Sequence, residues 1–262
     1  MNLGIIGFGI MGRAIADGLR RSETSAQLFV YDKSESQTME AQTRYGAFVC
    51  RTPAELCAKS ELLLVAVKPQ NTEELFVEFR ELCSRMPVIS IVAGRTISYF
   101  RSGLGTNRVV RCMPNIAATV GRALVGVTIP KGTDEAFRTL ALTIIQAIGT
   151  PVEVPEEMIA AITGISGSGI AFVLAFLHAM SLGGTKAGLP YPTAQRAALA
   201  VLRGACELVE STGEHPISLL SKVASPAGTT IAGLSVFEER GVTSAVMEAV
   251  DAAARRAQEL ER

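Results

Sequence analysis

Gly7-Phe8-Gly9-Ile10-Met11-Gly12 sets three glycines at the G-x-G-x-x-G spacing. The apolar run Leu3–Ile6 leads into it, and a helix is expected to follow from Arg13 to Arg20. In that setting the first glycine permits a tight turn and the second lets the backbone approach a pyrophosphate. The third lets helix and strand pack closely. The helix start then offers N–H groups and a partial positive charge to the phosphates of a dinucleotide. Asp32 stands twenty residues after Gly12, at the end of the next apolar run. An acidic residue there holds the ribose 2′-hydroxyl and favours NAD over NADP. Lys33 and Ser34 lie beside it and suit a 2′-phosphate instead, so NADPH and NADH both remain open as the cofactor.

Three more loops end apolar runs: Ala66-Val67-Lys68-Pro69, Ile91-Val92-Ala93-Gly94 and Arg111-Cys112-Met113-Pro114-Asn115. Ligands of open α/β sheets sit beyond the carboxyl ends of the strands. Ala66, Val67, Lys68 and Pro69 are therefore expected at the dinucleotide, and Ala93, Gly94, Met113, Pro114 and Asn115 on its nicotinamide side. Pro69 starts the next helix without wasting an N–H. Lys68 reads either as a phosphate or ribose contact or as a surface charge. Further on, Thr163-Gly164-Ile165-Ser166-Gly167-Ser168-Gly169 precedes a long helix, and its small residues suit tight helix packing. Ser225-Pro226-Ala227-Gly228-Thr229-Thr230 precedes another. A glycine-containing loop at a helix start is a ready carboxylate site, while Thr229 or Thr230 could instead serve only as an N-cap. His178 is expected to be buried and satisfied in its apolar helix, and His215 to mark a helix start before Pro216. The five cysteines, Cys50, Cys57, Cys83, Cys112 and Cys206, include no CxxC and are expected to be buried, reduced thiols. No metal-ligand cluster and no Ser–His–Asp set is visible.

These loops need elements to hold them. Apolar runs at Leu3–Ile6, Leu28–Tyr31, Leu62–Val67, Val88–Val92, Val109–Met113 and Val125–Ile129 alternate with helical spacing such as Leu75, Phe79 and Leu82. That alternation predicts a parallel sheet covered on both faces. After about Pro155 no strand is expected. Ala194, Ala198, Val201, Ala205 and Leu208 step along one helical face, and Val242, Val246, Val250, Ala253 and Ala257 along another. The boundary falls near Pro151–Pro155, two prolines that interrupt regular structure. The predicted fold is α/β: a Rossmann-type, doubly wound, mainly parallel sheet over 1–154, then an all-α domain over 155–262.

Composition narrows the function. Lys plus Arg and Asp plus Glu both number 25 in 262 residues, which gives no support for a nucleic-acid or anionic-membrane partner. Aromatics are 5% with no Trp, so no base-stacking platform is expected. The N-terminus lacks the pattern of a signal peptide. Met158–Thr185 carries no fixed charge, but its small residues leave an apolar remainder shorter than the ~20 residues a membrane span needs. A helix buried at a subunit interface is expected there, in a soluble cytoplasmic protein.

Taken in order, these segments resemble the pyrroline-5-carboxylate reductase family almost end to end. The resemblance rests on the G-x-G-x-x-G with Met11, on Val67-Lys68-Pro69, on Met113-Pro114-Asn115 and on Gly164–Gly169. Its strongest part is Gly213-Glu214-His215-Pro216 followed by Ser225-Pro226-Ala227-Gly228-Thr229-Thr230-Ile231-Ala232-Gly233-Leu234. It implies a five-membered cyclic imine carboxylate as substrate, reduced by NADPH or NADH to L-proline in the last step of proline biosynthesis. Ser225 and the backbone N–H groups from Gly228 to Thr230 would hold the carboxylate, and the Thr230 hydroxyl would bond the ring nitrogen as the catalytic contact. The resemblance also implies a homodimer through the C-terminal helices, of a kind that assembles into rings such as a decamer. A protonated imine is already electrophilic, so hydride transfer asks for positioning more than for a strong acid.

Some positions depart from the family pattern. Ile10 stands for Asn, Ile116-Ala117 for Thr-Pro, Ile170 for Pro, Ala227 for Gly, and Pro53 for an Asn near the adenosine end. They leave room for a reductase of a different cyclic imine, since one methylene discriminates by only about 1–3 kcal/mol in an apolar pocket. A non-catalytic dinucleotide-binding protein is the alternative from another class. A β-hydroxyacid dehydrogenase would carry a Lys shortly after the glycine-rich segment, where Ile170–Leu174 has none.

Overall fold

Leu62, Leu63, Leu64 and Val65 are all fully buried, as a strand must be when helices cover both faces of its sheet. The computed structural model describes residues 1–261. It builds that sheet from β1 (Asn2–Ile6), β2 (Gln27–Tyr31), β3 (Phe48–Val49), β4 (Leu62–Val65), β5 (Val88–Ser90), β6 (Val109–Met113), β7 (Ala123–Thr128) and β8 (Gly149–Glu153). The order is β3-β2-β1-β4-β5-β6-β7-β8. β1 to β6 run parallel, β7 turns back against β6, and β8 runs parallel to β7. The chain reverses its direction of travel at β1, which has β2 on one side and β4 on the other. The crevice beyond their carboxyl ends is the topological switch point, where such sheets take their ligands.

The helices between strands are α1 (Ile10–Arg21), α2 (Glu35–Tyr45), α3 (Pro53–Lys59), α4 (Thr72–Phe79), α5 (Ile97–Leu104) and α6 (Glu135–Gln146). One core joins Leu3, Ile5, Leu62 and Leu64 to α1 and α6, and the other joins Ile6, Leu63 and Val65 to α4 and α5. Each fully buried aliphatic side chain in them contributes about 1.5–3 kcal/mol. The six expected strands are present. β3, only two residues long, and β8 were not expected. Pro151 lies inside β8 rather than between elements. β8 is an edge strand, where a residue without an N–H costs the ladder little.

The chain forms two compact units. One comprises Met1–Ser168 together with the segment from Ala252 onward, and the other is Gly169–Asp251. The first thus runs past residue 154 through α7 (Ile159–Ile162) and a π-helical turn at Thr163–Gly167. The small-residue segment is therefore not a break ahead of the long helix. Helical turns continue from Glu156 to Lys186, long and apolar enough by length and composition to cross a membrane. No proline interrupts them, and the Thr163 hydroxyl bonds back to the Ile159 carbonyl at 2.8 Å.

The second unit is helical: α8 (Gly169–Lys186), α9 (Tyr191–Thr212), α10 (Pro216–Val223), α11 (Thr229–Glu239) and most of α12 (Val242–Glu259). Gly184 meets Ala194 where α8 and α9 pack closely. On the expected face of α9, Ala194 and Ala198 are buried but Val201 and Leu208 are exposed. His178 is exposed, not buried as expected, and its Nδ1 lies 3.2 Å from the Tyr191 hydroxyl. His215 caps α10, its Nδ1 accepting from the Ile217 N–H at 3.3 Å. All five cysteines are free. Cys50, Cys83 and Cys112 are buried as expected, whereas Cys57 is half-buried and Cys206 exposed. Burial pushes the Cys112 thiol up, away from a reactive thiolate.

Candidate active site

A cleft of about 290 Å³ lies at the switch point. Gly7, Gly9, Asp32, Lys33, Ala66, Val67 and Lys68, all expected at a dinucleotide, line it. Gly7 turns there with φ +89°, and a Cβ on it would press on Ala66 and Val67. A Cβ on Gly12 would lie 2.6 Å from the Gly7 carbonyl oxygen. Above Gly9 there is open space. Gly9 is the N-cap of α1 and supplies no side-chain cap, and the first turn has no acidic residue. The amides at the start of α1 therefore have no acid of their own turn competing for them, as a pyrophosphate requires. The residues present fit NAD(P)H.

Phe8 takes part through its backbone alone, since its ring is fully buried against Tyr45. Its N–H donates to Asp32 Oδ2 at 2.6 Å, and the Ser34 N–H donates to Asp32 Oδ1 at 2.8 Å. Ile10 is exposed, Met11 half-buried. The Ser34 hydroxyl pairs with that of Ser36 at 2.9 Å. Sequence reasoning missed two acids of this cleft. Glu74 and Glu78, one turn apart on α4, bind the Lys33 ammonium at 2.7 and 2.6 Å. Both hydrogen bonds push the Lys33 ammonium up, Glu74 foremost. Glu78 also accepts from the Tyr31 hydroxyl at 3.1 Å; burial and this carboxylate raise the Tyr31 phenol. The i,i+4 spacing of the two acids was legible, but their partner in the loop after β2 was not.

Pro69 opens a short 3₁₀ turn, Pro69–Asn71, before α4. At Pro53, the N-cap Thr52 accepts from the Glu55 N–H at 3.1 Å and Glu55 reaches back past the cap to accept from the Arg51 N–H at 2.8 Å, with proline at the first helical position. On the nicotinamide side, the Asn115 side chain is fully committed. Its Nδ2 donates to the Ser166 hydroxyl at 2.9 Å and the Ser166 carbonyl at 3.2 Å, while Oδ1 accepts from the Ala117 N–H at 3.0 Å. The Ser166 hydroxyl passes the chain on to the Leu124 carbonyl at 2.9 Å. Pro114 is buried and Met113 half-buried. Ala93 is exposed, and Gly94, with φ +68°, lies against Leu260. Arg111 on β6 is buried, with Glu156 at 3.1 Å and Glu261 as its partners. A larger open groove of about 950 Å³ between α4 and α5 holds none of the expected residues.

The Ser225–Thr230 loop belongs to the second unit. The N-cap of α11 is Gly228, in extended conformation, so neither Thr229 nor Thr230 serves as the cap. A glycine cap offers no side-chain acceptor, and the first turn holds no acid. The amides of Thr229 and Thr230 are thus left open to an anion. The Ser225 hydroxyl lies directly over the Gly228 Cα, where any Cβ would collide with it. Ala227 has φ +56°, a left-handed backbone on a residue with a side chain. Ser225 and Thr229 are exposed, Thr230 half-buried. Among the described residues no group of His, Cys, Asp and Glu could hold a metal ion.

Comparison with known proteins agrees with these features. A family model described as pyrroline-5-carboxylate reductase dimerisation matches residues 156–260. One described as NADP oxidoreductase coenzyme F420-dependent matches residues 2–94. The pyrroline-5-carboxylate reductase of Synechocystis is 40% identical over 262 residues, covering 99% of this chain and 98% of the relative. That of Methanosarcina acetivorans is 38% identical, covering 98% and 97%. Among solved structures, the Plasmodium falciparum pyrroline carboxylate reductase with NADP bound superposes with a TM-score of 0.90 at 25% identity, covering 100% and 98%. From the switch-point cleft, the open start of α11 and this end-to-end likeness, the chain belongs to the pyrroline-5-carboxylate reductase family.

Proposed function

We propose that this protein reduces 1-pyrroline-5-carboxylate to L-proline. The observation that carries the reading is the start of α11, where a glycine cap and an acid-free first turn leave amides beside the Ser225 hydroxyl. These groups bind the substrate carboxylate, and the Thr230 hydroxyl hydrogen-bonds the ring nitrogen. NAD(P)H, held by Gly7–Gly12, Asp32 to Ser34 and Ala66–Pro69, supplies the hydride when bound. The loops at Ala93–Gly94 and Met113–Asn115 shape the nicotinamide side, Asn115 by bracing Ser166 rather than by a free side chain. The imine carbon accepts the hydride and the protonated ring nitrogen becomes the amine of proline, so the chain needs no strong acid.

Residues 155–262 act as the substrate-binding and dimerisation domain. A second copy covers the apolar faces of α8, α9 and α12, dimers assemble into a larger ring such as a decamer, and the enzyme works in the cytoplasm. The test of function is pyrroline-5-carboxylate-dependent oxidation of NADPH and NADH by purified protein, followed optically, with a six-membered imine as control. Turnover with the five-membered ring supports the reading. Turnover with the control alone means that Ile116, Ile170 and Ala227 have reshaped the pocket. Silence with both overturns it.

A further inference from the structure

The dinucleotide cleft holds more negative charge than its sequence motif suggests. Asp32, Glu74 and Glu78 line it against only Lys33 and Lys68. Lys33 follows the residue that marks the ribose, so its ammonium is the cation placed to meet a 2′-phosphate. That ammonium is already held by two carboxylates on α4, at 2.7 and 2.6 Å. Glu78 is itself anchored by the Tyr31 hydroxyl, a neighbour on β2 two residues before Lys33. A 2′-phosphate would have to draw Lys33 from both acids and then sit beside their exposed charge. A 2′-hydroxyl meets no such cost, because Asp32 accepts from it directly.

We propose that Glu74 and Glu78 are specificity-determining residues that make the cleft favour NADH over NADPH. They act by neutralising Lys33 and by repelling the 2′-phosphate, so discrimination comes from a built-in penalty on the wrong cofactor. This rests on the cleft being the dinucleotide site, and not on the identity of the imine.

The test is equilibrium binding without substrate, read by nicotinamide fluorescence, on the full-length protein. Wild type is expected to bind NADH more tightly than NADPH. E74Q/E78Q, which keeps size and hydrogen-bonding capacity, is expected to tighten NADPH about tenfold while NADH changes by less than about threefold. Adding Lys33→Gln to that double variant should remove only the part of the gain that the freed ammonium supplies, whereas Lys33→Gln alone, which bares both carboxylates, should weaken NADPH more than NADH. Thermal denaturation checks that each variant folds, and E78Q alone should give part of the same shift. Equal changes for both dinucleotides, or no gain for NADPH in either variant, overturn the proposal. Loss of all dinucleotide binding in wild type removes the cleft reading and the proposal together. Absence of imine turnover with binding intact leaves the proposal standing.

Discussion

The Phe8 N–H donates to Asp32 Oδ2 at 2.6 Å, so the glycine-rich loop is tied to the end of β2 by the same carboxylate that is to hold the ribose. Asp32 Oδ1 takes the Ser34 N–H as well. The acid therefore braces two backbone segments before any ligand arrives, and each oxygen keeps a lone pair for a hydroxyl.

Removing that brace has two separable effects. Asp32→Ala leaves two backbone donors without their acceptor and is expected to destabilise the protein by about 1–3 kcal/mol. It should weaken both dinucleotides, NADH more than NADPH, because only the 2′-hydroxyl loses a direct partner. Asp32→Asn keeps one acceptor oxygen and should fall between. Thermal denaturation and cofactor titration read the two effects. An unchanged melting temperature would remove the bracing role, and equal weakening would remove the ribose role.

Thr230 is expected to act on the substrate side alone. Thr230→Val keeps the shape and deletes the hydroxyl. A hydrogen bond to a charged partner is worth about 1.5–3 kcal/mol, which corresponds to a fall in kcat/KM of roughly 10- to 150-fold. Dinucleotide affinity should not move. A matching loss of cofactor binding would place Thr230 outside the substrate site.

Much of the first unit was legible because its chemistry is local. A G-x-G-x-x-G after an apolar strand, and an acid twenty residues on, report their positions through chain geometry. The helix start after Ser225–Gly228 was legible for the same reason. What the sequence hid were pairings between distant segments. Glu74 and Glu78 look like solvated helix charges until β2 brings Lys33 beside them. Arg111 lies in an apolar strand, and its partners stand 45 and 150 residues away. Asn115 was expected at the nicotinamide, yet Ser166, 51 residues on, takes its amide. Pro151 was read as a breaker because an edge position is a property of the finished sheet.

Ala227 carries a cost that glycine would not. Its φ of +56° sets Cβ against the following carbonyl, at roughly 1–2 kcal/mol. Glycine relieves this but adds freedom to the unfolded chain, worth about 0.4–1 kcal/mol. Ala227→Gly is expected to stabilise by about 0.5–1 kcal/mol net, a rise of about 1–4 °C in Tm. A lower Tm would mean that the methyl group makes contacts outweighing the strain.

Arg111 is a buried cation held by Glu156 and Glu261. Glu156 also accepts from the Ile97 N–H at 2.7 Å, so one carboxylate serves β6 and α5 together. Arg111→Ala strands two carboxylates around an empty space and is expected to cost about 3–5 kcal/mol. Arg111→Met with Glu156→Gln and Glu261→Gln should recover much of that, since a charge-free set of similar volume leaves no unpaired ion. Denaturant unfolding of the single and triple variants decides. Strictly additive losses would show that the triad is not coupled.

The last expectation concerns the apolar surface of the second unit. Val201 on α9 and Val246 and Met247 on α12 are each more than half exposed in the single chain, on helices within the segment that matches the dimerisation model. Covered by a second copy, such side chains would place any introduced charge in a dry interface, at several kcal/mol without a partner. Val201→Glu and Val246→Glu are therefore expected to yield monomers at micromolar concentration, where wild type sediments as a dimer or larger assembly. The dinucleotide cleft lies wholly in the first unit, so NADH binding should survive in the monomer. A variant that kept its assembled mass would move the interface to another face. One that lost cofactor binding along with its partner would show that the first unit depends on assembly for its own fold.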